Sequence, residues 1–119
     1  MLLKFYDCET NPYAYCEDEE TIYTYEGEPV AYIDIQDIYA FSGKHLGFYE
    51  DGNVWDHNGD VLLFTEDSIR TPLKAKESLM PLKKLKSKKP LKGAKELKPK
   101  KPLKRNKWSS YELSEHFVY

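Results

Sequence analysis

An all-β fold of four consecutive hairpins is what this sequence predicts for its first 71 residues, on three observations. A block of about sixteen residues recurs four times, each block centres on a turn signal, and apolar residues alternate with polar ones beside that turn. Ile22 through Asp34 aligns without a gap to the stretch beginning at Ile38, and that stretch to the one beginning at Val54. Phe5 through Glu17 fits the same frame, seventeen residues before Ile22.

Each block reads as one β-hairpin. A short apolar and aromatic run starts at position 1 of the block (Phe5, Ile22, Ile38, Val54) and meets a turn at position 6, where Gly27, Gly43 and Gly59 supply the positive φ of tight hairpin turns. Asn58-Gly59 is the strongest such signal, and the first block has Thr10-Asn11 there instead. After the turn, Tyr13 and Tyr15, Val30 and Tyr32, Leu46 and Phe48, and Leu62 and Phe64 fall on one strand face at period two. Asp51-Gly52-Asn53 is a further turn, between blocks. An isolated two-stranded ribbon cannot cover its own apolar face, so the copies must bury theirs against one another. Closing them into a ring also removes exposed strand edges. The expected architecture is a pseudo-four-fold rosette or small barrel of eight strands, with the position 2 aromatics Tyr6, Tyr23, Tyr39 and Trp55 together in the core or on a shared rim.

Carboxylates recur at position 13 as Glu17, Asp34, Glu50 and Glu66, and Asp18, Asp51 and Asp67 follow three of them. Copies related by rotation place these residues in an acidic girdle at one end of the rosette, a focused negative potential for a cation or a basic peptide. The competing reading is a set of strand-end charges that keep the chain soluble and discourage edge pairing.

The run "DIYAFSGKHLGFYEDGNVWDHNGDVLLFTED", with the Pro and Lys tail and the terminal "WSSYELSEHF", resembles the 4-fold beta flower domain family of bacterial proteins. The likeness is clearest from Gly27 to Asp67 and in the terminal segment. It implies an architecture and no particular activity. "VWDHNGDVLLF" is also similar to the unit of YD-repeat shells, but those shells need many copies and four are too few.

Charge divides the chain in two. From Met1 to Thr71 sixteen acidic residues face three basic ones, a net of -13, and from Pro72 to Tyr119 fifteen basic residues face four acidic ones, a net of +11. The sequence therefore reads as a β domain over 1–71, a Lys/Pro-rich extended arm over 72–107 and an aromatic C-terminal anchor over 108–119. Prolines at 72, 81, 90 and 99 are nine apart, and lysine falls on a three-residue grid at Lys83, Lys86, Lys89, Lys92, Lys95, Lys98, Lys101, Lys104 and Lys107. Three residues per turn is the polyproline II pitch, so one edge of the extended chain is nearly all lysine. Such an edge suits a solvated linker, a phosphate backbone, anionic lipid heads, or the acidic girdle of the same or a neighbouring rosette. In the anchor, Ser109 and Glu112 form a capping-box pattern that predicts a short helix over 110–117. Trp108, Tyr111, Phe117 and Tyr119 are expected to dock on a hydrophobic surface, their own rosette's or a partner's.

Nothing in the chain spells out a reaction. The three histidines occupy unrelated places, His45 and His57 at positions 8 and 4 of their blocks and His116 in the anchor. No Ser, Thr or Cys has a recognisable base beside it, and no phosphate-binding loop or metal motif appears. Cys8 and Cys16 lack zinc or disulfide spacing and read as two free thiols. No cofactor is indicated. The absence of a membrane-length apolar run and of a signal-peptide pattern favours the cytoplasm. The expected function is a non-enzymatic binding or assembly module, including self-association, whose arm and anchor mediate the contacts. Non-specific nucleic-acid or anionic-polymer binding through the arm is the second reading, and a small-ligand or catalytic site at the rosette axis the third.

Overall fold

The computed structural model of the chain describes residues 2–69 and 80–119. Eight antiparallel strands, each bonded to its sequence neighbours, close into one barrel. They are β1 (Leu3–Tyr6), β2 (Pro12–Cys16), β3 (Thr21–Thr24), β4 (Pro29–Asp34), β5 (Asp37–Tyr39), β6 (His45–Glu50), β7 (Asn53–Trp55) and β8 (Val61–Phe64). Within each hairpin the same two block positions, 1 and 10, face each other: Phe5 with Ala14, Ile22 with Ala31, Ile38 with Gly47, Val54 with Leu63. Between hairpins position 11 pairs with position 2 of the next copy: Tyr15 with Tyr23, Tyr32 with Tyr39, Phe48 with Trp55. The ring shuts by the same rule, Phe64 against Tyr6. These repeated pairings give the barrel its four-fold character. The boundary expected at 71/72 lies outside the described residues.

The hairpin turns share one construction. In every copy the amide at position 6 donates to the carbonyl at position 3, and the amide at position 3 donates to the carbonyl at position 7. Position 6 is left-handed throughout, with φ of 62° at Thr10, 88° at Gly27, 100° at Gly43 and 87° at Gly59. This is a three-residue loop closed by one left-handed residue. Asn58-Gly59 is therefore not a two-residue mirror turn: Asn58 lies outside the positive-φ set, and its amide donates to the Asp56 carboxylate at 2.8 Å.

Two expectations about facing residues are corrected, one by a bulge and one by strand alternation. Each hairpin slips register between positions 1 and 2, a bulge repeated in all four copies. The unpaired residues on the return strands are Tyr13, Val30, Leu46 and Leu62, and a bulge takes its residue off the alternating face. These four pack with the interior cluster of Phe5, Ile22, Ile38 and Val54, away from Tyr15, Tyr32, Phe48 and Phe64. The position 2 aromatics are likewise not gathered in one core. Adjacent strand residues point to opposite faces, so position 1 fills the barrel and position 2 lies outside it. Each position 2 ring meets position 11 across its own seam: Tyr15 and Tyr23 stack at 6.0 Å, Tyr32 and Tyr39 at 5.7 Å, Tyr6 and Phe64 at 5.4 Å. Trp55 clusters with Phe48 in the remaining seam.

The C-terminal helix is shorter than expected. It spans α1 (Leu113–His116), and its N-cap is Glu112 with no side-chain cap bond. Ser109 lies three residues before that N-cap and forms no capping box: its hydroxyl accepts the Tyr111 amide at 3.2 Å and donates to Asp56 Oδ2 at 2.6 Å. The helix delivers Phe117 into the interior cluster, where the ring lies 5.9 Å from that of Tyr13. Phe117 also lines one depression with the turn residues Tyr25 and Glu28 and with Thr24 and Val30 at the adjoining strand ends, so it stops the turn end of the barrel.

Candidate functional site

The arm and the barrel surface form one continuous site. From Met80 to Lys107 the chain contains no helix or strand, as its prolines, which lack an amide donor and fix φ, dictate. It runs once round the barrel, touching the copies in order. Met80 accepts a hydrogen bond from the Tyr6 hydroxyl at 3.8 Å. The amides of Lys84 and Ser87 donate to the carbonyls of Tyr25 and Gly27. Nine residues on, Gly93 and Glu96 donate to Phe41 and Gly43, and after nine more Arg105 donates to Gly59. The arm's nine-residue period is thus commensurate with the sixteen-residue period of the barrel. The lap ends where Val61 and Trp108 form a parallel bridge and Trp108 packs at 5.7 Å on Phe64, on the seam where the lap began.

This approach is close enough to select glycine at the hairpin tips. A Cβ on Gly27, Gly43 or Gly59 would stand 1.9, 1.9 or 2.0 Å from the carbonyl oxygen of Leu85, Ala94 or Leu103, three arm residues spaced by nine. The glycines therefore serve both the left-handed turn and the seating of the arm.

The lysine grid faces the barrel. Lys83 lies 4.6 Å from the Tyr15 ring and Lys86 4.9 Å from that of Tyr23, and both reach Glu17, at 2.8 and 2.7 Å. Lys92 lies 4.3 Å from the Tyr32 ring and Lys95 5.4 Å from that of Tyr39, pairing with Glu20 and Asp34 respectively. Lys104 lies 5.4 Å from the Trp55 ring and holds both Glu50 and Asp51, with Lys101 also on Glu50 at 2.9 Å. Each of these three seams is a cage of packed aromatic rings floored by carboxylate, the chemistry that recognises an ammonium group. Hydrogen bonds from the arm lysines hold the carboxyls of Glu17 and Glu50 below their usual range. At Asp18 burial opposes ionisation, but the backbone amides of Thr21 and Glu20, with Lys89, outweigh it and the carboxyl is lowered.

Of the predicted girdle, Glu17, Asp18, Asp34, Glu50 and Asp51 meet arm lysines, whereas Glu66 and Asp67 have no ion pair among the described residues. They border a cavity of about 350 Å³ with Leu2, Leu3, Lys4 and Thr65. Of the predicted lysines, Lys107 alone has no carboxylate partner among the described residues. Glu20, Asp37 and Asp60 also pair with the arm, Asp60 by a two-pronged contact to Arg105 at 2.9 and 2.8 Å. Sequence reasoning missed them because they fall outside position 13. Among the anchor aromatics, Trp108 and Phe117 pack on the barrel, Tyr111 stacks on His116 at 5.3 Å, and Tyr119 is exposed.

The structure also joins two histidines that the sequence kept apart. His57 takes the place of Tyr25 and Phe41, the position 4 rings that complete the earlier seams. Its Nε2 lies 2.8 Å from His45 Nδ1, and His45 Nε2 lies 2.9 Å from Asp37 Oδ1. At Asp37 burial disfavours the charge, yet hydrogen bonds from His45 and Lys98 outweigh it and the carboxyl is lowered. An ionised Asp37 fixes the tautomers: His45 donates through Nε2 and accepts from His57 Nε2–H. Burial first, and then the neighbouring imidazoles of His45 and His116, which disfavour a second positive charge beside them, push the His57 imidazole below its ordinary value. His45, His57, Glu96, Leu97 and Pro99 line an open depression of about 460 Å³. Aligning the blocks by column would have revealed His57 as a seam ring; nothing local would have revealed its bond to His45.

No cluster of three or more His, Cys, Asp or Glu side chains that could hold a metal ion occurs among the described residues. No helix among them is long and apolar enough to cross a membrane. Among curated proteins and solved structures, none matches the chain significantly. A family model described as the 4-fold beta flower protein matches residues 3–117. The match takes in the barrel, the arm and the anchor as far as Phe117, and the chain belongs to the 4-fold beta flower family.

Proposed function

We propose that the protein is a non-enzymatic binding and assembly module whose contact surface is the outward edge of its own arm. The observation that carries the reading is a leucine row. Leu82, Leu85, Leu91, Leu97 and Leu103 fall one residue before the lysine grid and are 90 to 96% exposed. An extended chain with three residues per turn separates these two edges, so turning the lysines inward turns the leucines outward. Isolated exposed leucines are ordinary, but a repeated row on a backbone already fixed by hydrogen bonds offers apolar contact at little ordering cost. Self-association through this row predicts that the mass measured by light scattering rises above the 14.0 kDa of one chain with concentration. The double variant Leu91→Ser, Leu97→Ser should stay at one chain while keeping the parent's circular dichroism. A parent that remains a single chain at every concentration would remove the reading.

One observation favours nucleic-acid binding as a second reading: Lys88 and Lys100 are exposed and have no carboxylate partner among the described residues. The other arm lysines are largely committed to the barrel. Retardation of DNA at low salt, lost as salt rises and lost in Lys88→Gln, Lys100→Gln, would support it; DNA that runs unretarded at low salt would end it.

A further inference from the structure

Resting on the assembly reading above, we propose that the seam cages are a receptor for the arm of a second copy, so that the protein associates by exchanging arms. Four features point there. First, each contact between arm and barrel is made on the barrel's outer surface, so an arm arriving from another chain meets the same carbonyls of Tyr25, Gly27, Phe41, Gly43 and Gly59. Second, the arm has no helix or strand of its own to lose on transfer. Third, much of its hold is electrostatic and solvent-accessible: in the pairs of Lys83, Lys86, Lys89 and Lys92 both partners are 40 to 49% exposed, which makes the hold sensitive to salt. Fourth, the eleven residue steps from Ile69 to Met80 reach at most about 40 Å, comparable with the 37 × 36 × 26 Å extents of the molecule. An arm that leaves its own barrel is therefore long enough to serve the next.

The specificity of the cages names the occupant. They read a lysine pair three residues apart, repeated every nine, on a chain that places glycine at the third copy. Gly93 sits where a Cβ would meet the Ser42 carbonyl at 2.3 Å. The equivalent arm residues are Lys84 and Pro102, so a shift by one unit is rejected at Phe41. Charge fixes the same register: the Glu96 carboxylate accepts the His45 amide at 2.7 Å beside Lys44, while Arg105 faces Asp60. Among lysine-rich chains, one with these residues at these spacings is this protein's own arm. The tethered arm competes at an effective concentration of the order of millimolar, so exchange belongs to concentrated protein in which arms have been released. Because Phe117 travels with the arm and is buried in the interior cluster, exchange is slow and the product persists.

The test uses two full-length forms, one carrying an affinity tag. They are mixed at high concentration in about 1 M salt, where screening acts within about 3 Å, warmed below the unfolding transition, returned to low salt, diluted and captured on the tag. Arm exchange predicts untagged chain in the captured fraction after this treatment, none after mixing at low salt, and faster accumulation in Phe117→Ala. The Leu91→Ser, Leu97→Ser variant should exchange as the parent does. Association through the leucine row, by contrast, forms without salt treatment and dissociates on dilution, so each idea can fail alone. Absence of mixed species in parent and Phe117→Ala, under conditions where hydrogen exchange shows the arm amides unprotected, would overturn arm exchange.

Discussion

Ile35 is the residue least at ease in the barrel. It carries a branched β-carbon at φ 59° and is 85% exposed, so it has a left-handed backbone without a burial gain. For such residues the left-handed conformation costs about 1 to 2 kcal/mol. Ile35→Gly should therefore raise the thermal midpoint, by an amount corresponding to about 1 kcal/mol once the flexibility of glycine is counted. Gly43 is the reverse case, at φ 100° with the Ala94 carbonyl pressed against it. Gly43→Ala should lower stability by at least about 1 to 2 kcal/mol and loosen the arm. The specific sign is early deuterium exchange at the amides of Gly93 and Glu96 while the strand amides stay protected. Equal loss of protection in arm and strands would mean that the glycine matters only for the turn.

At the scale of elements, what was readable depended on whether one residue or a relationship encoded the feature. Gly27, Gly43 and Gly59 marked the turns because each has a local reason to be glycine, and the seventeen-residue first block showed itself in the extra residue accommodated at Glu19, φ 65°. The bulge left no such mark. Tyr13, Val30, Leu46 and Leu62 look like good alternation with their neighbours, and only the pairing of two strands moves them inside. The lysine grid identified an edge of the arm but not its direction, since a solvated edge and a buried one share the same spelling. Likewise Asp37 pairs with Lys98 through the way β5 meets the lap of the arm, a relation between residues 61 apart that no window contains. The anchor was legible as aromatic and misread as capped: the helix starts only at Leu113, and Ser109 ties the chain before it, accepting the Tyr111 amide and donating to Asp56. Trp108 closes the lap at the Phe64 seam, so Trp108→Ala should release the end of the arm first, with trypsin cutting after Lys104, Arg105 and Lys107 before any lysine nearer Met80. Uniform cleavage along the arm would show that Trp108 does not hold its end.

For the molecule as a whole, acid acts in two stages. His57 and His116 are both pushed below the ordinary imidazole value, chiefly by burial. A group of this kind binds its proton more readily when unfolded, so its contribution is complete above about pH 6.5 and declines as pH falls below that value. Glu17, Asp37 and Glu50 are lowered in the fold, so their contribution is lost only below the usual carboxylate range. The midpoint should be flat above about pH 7, fall gently towards about pH 5, and fall steeply below about pH 4.5. His57→Gln should shrink the gentle stage to the share of His116 and leave the steep one. A gentle stage of unchanged size would exclude His57 as its source.

The single lap with equal steps also has a mechanical consequence. Load applied between Tyr119 and the barrel meets Phe117 and Trp108 first, then three seats one unit apart, at Gly59, Gly43 and Gly27. Extension should therefore proceed as a staircase, each riser freeing nine residues, about 30 Å of contour. Such a chain lengthens in fixed instalments while the eight staves beneath stay closed.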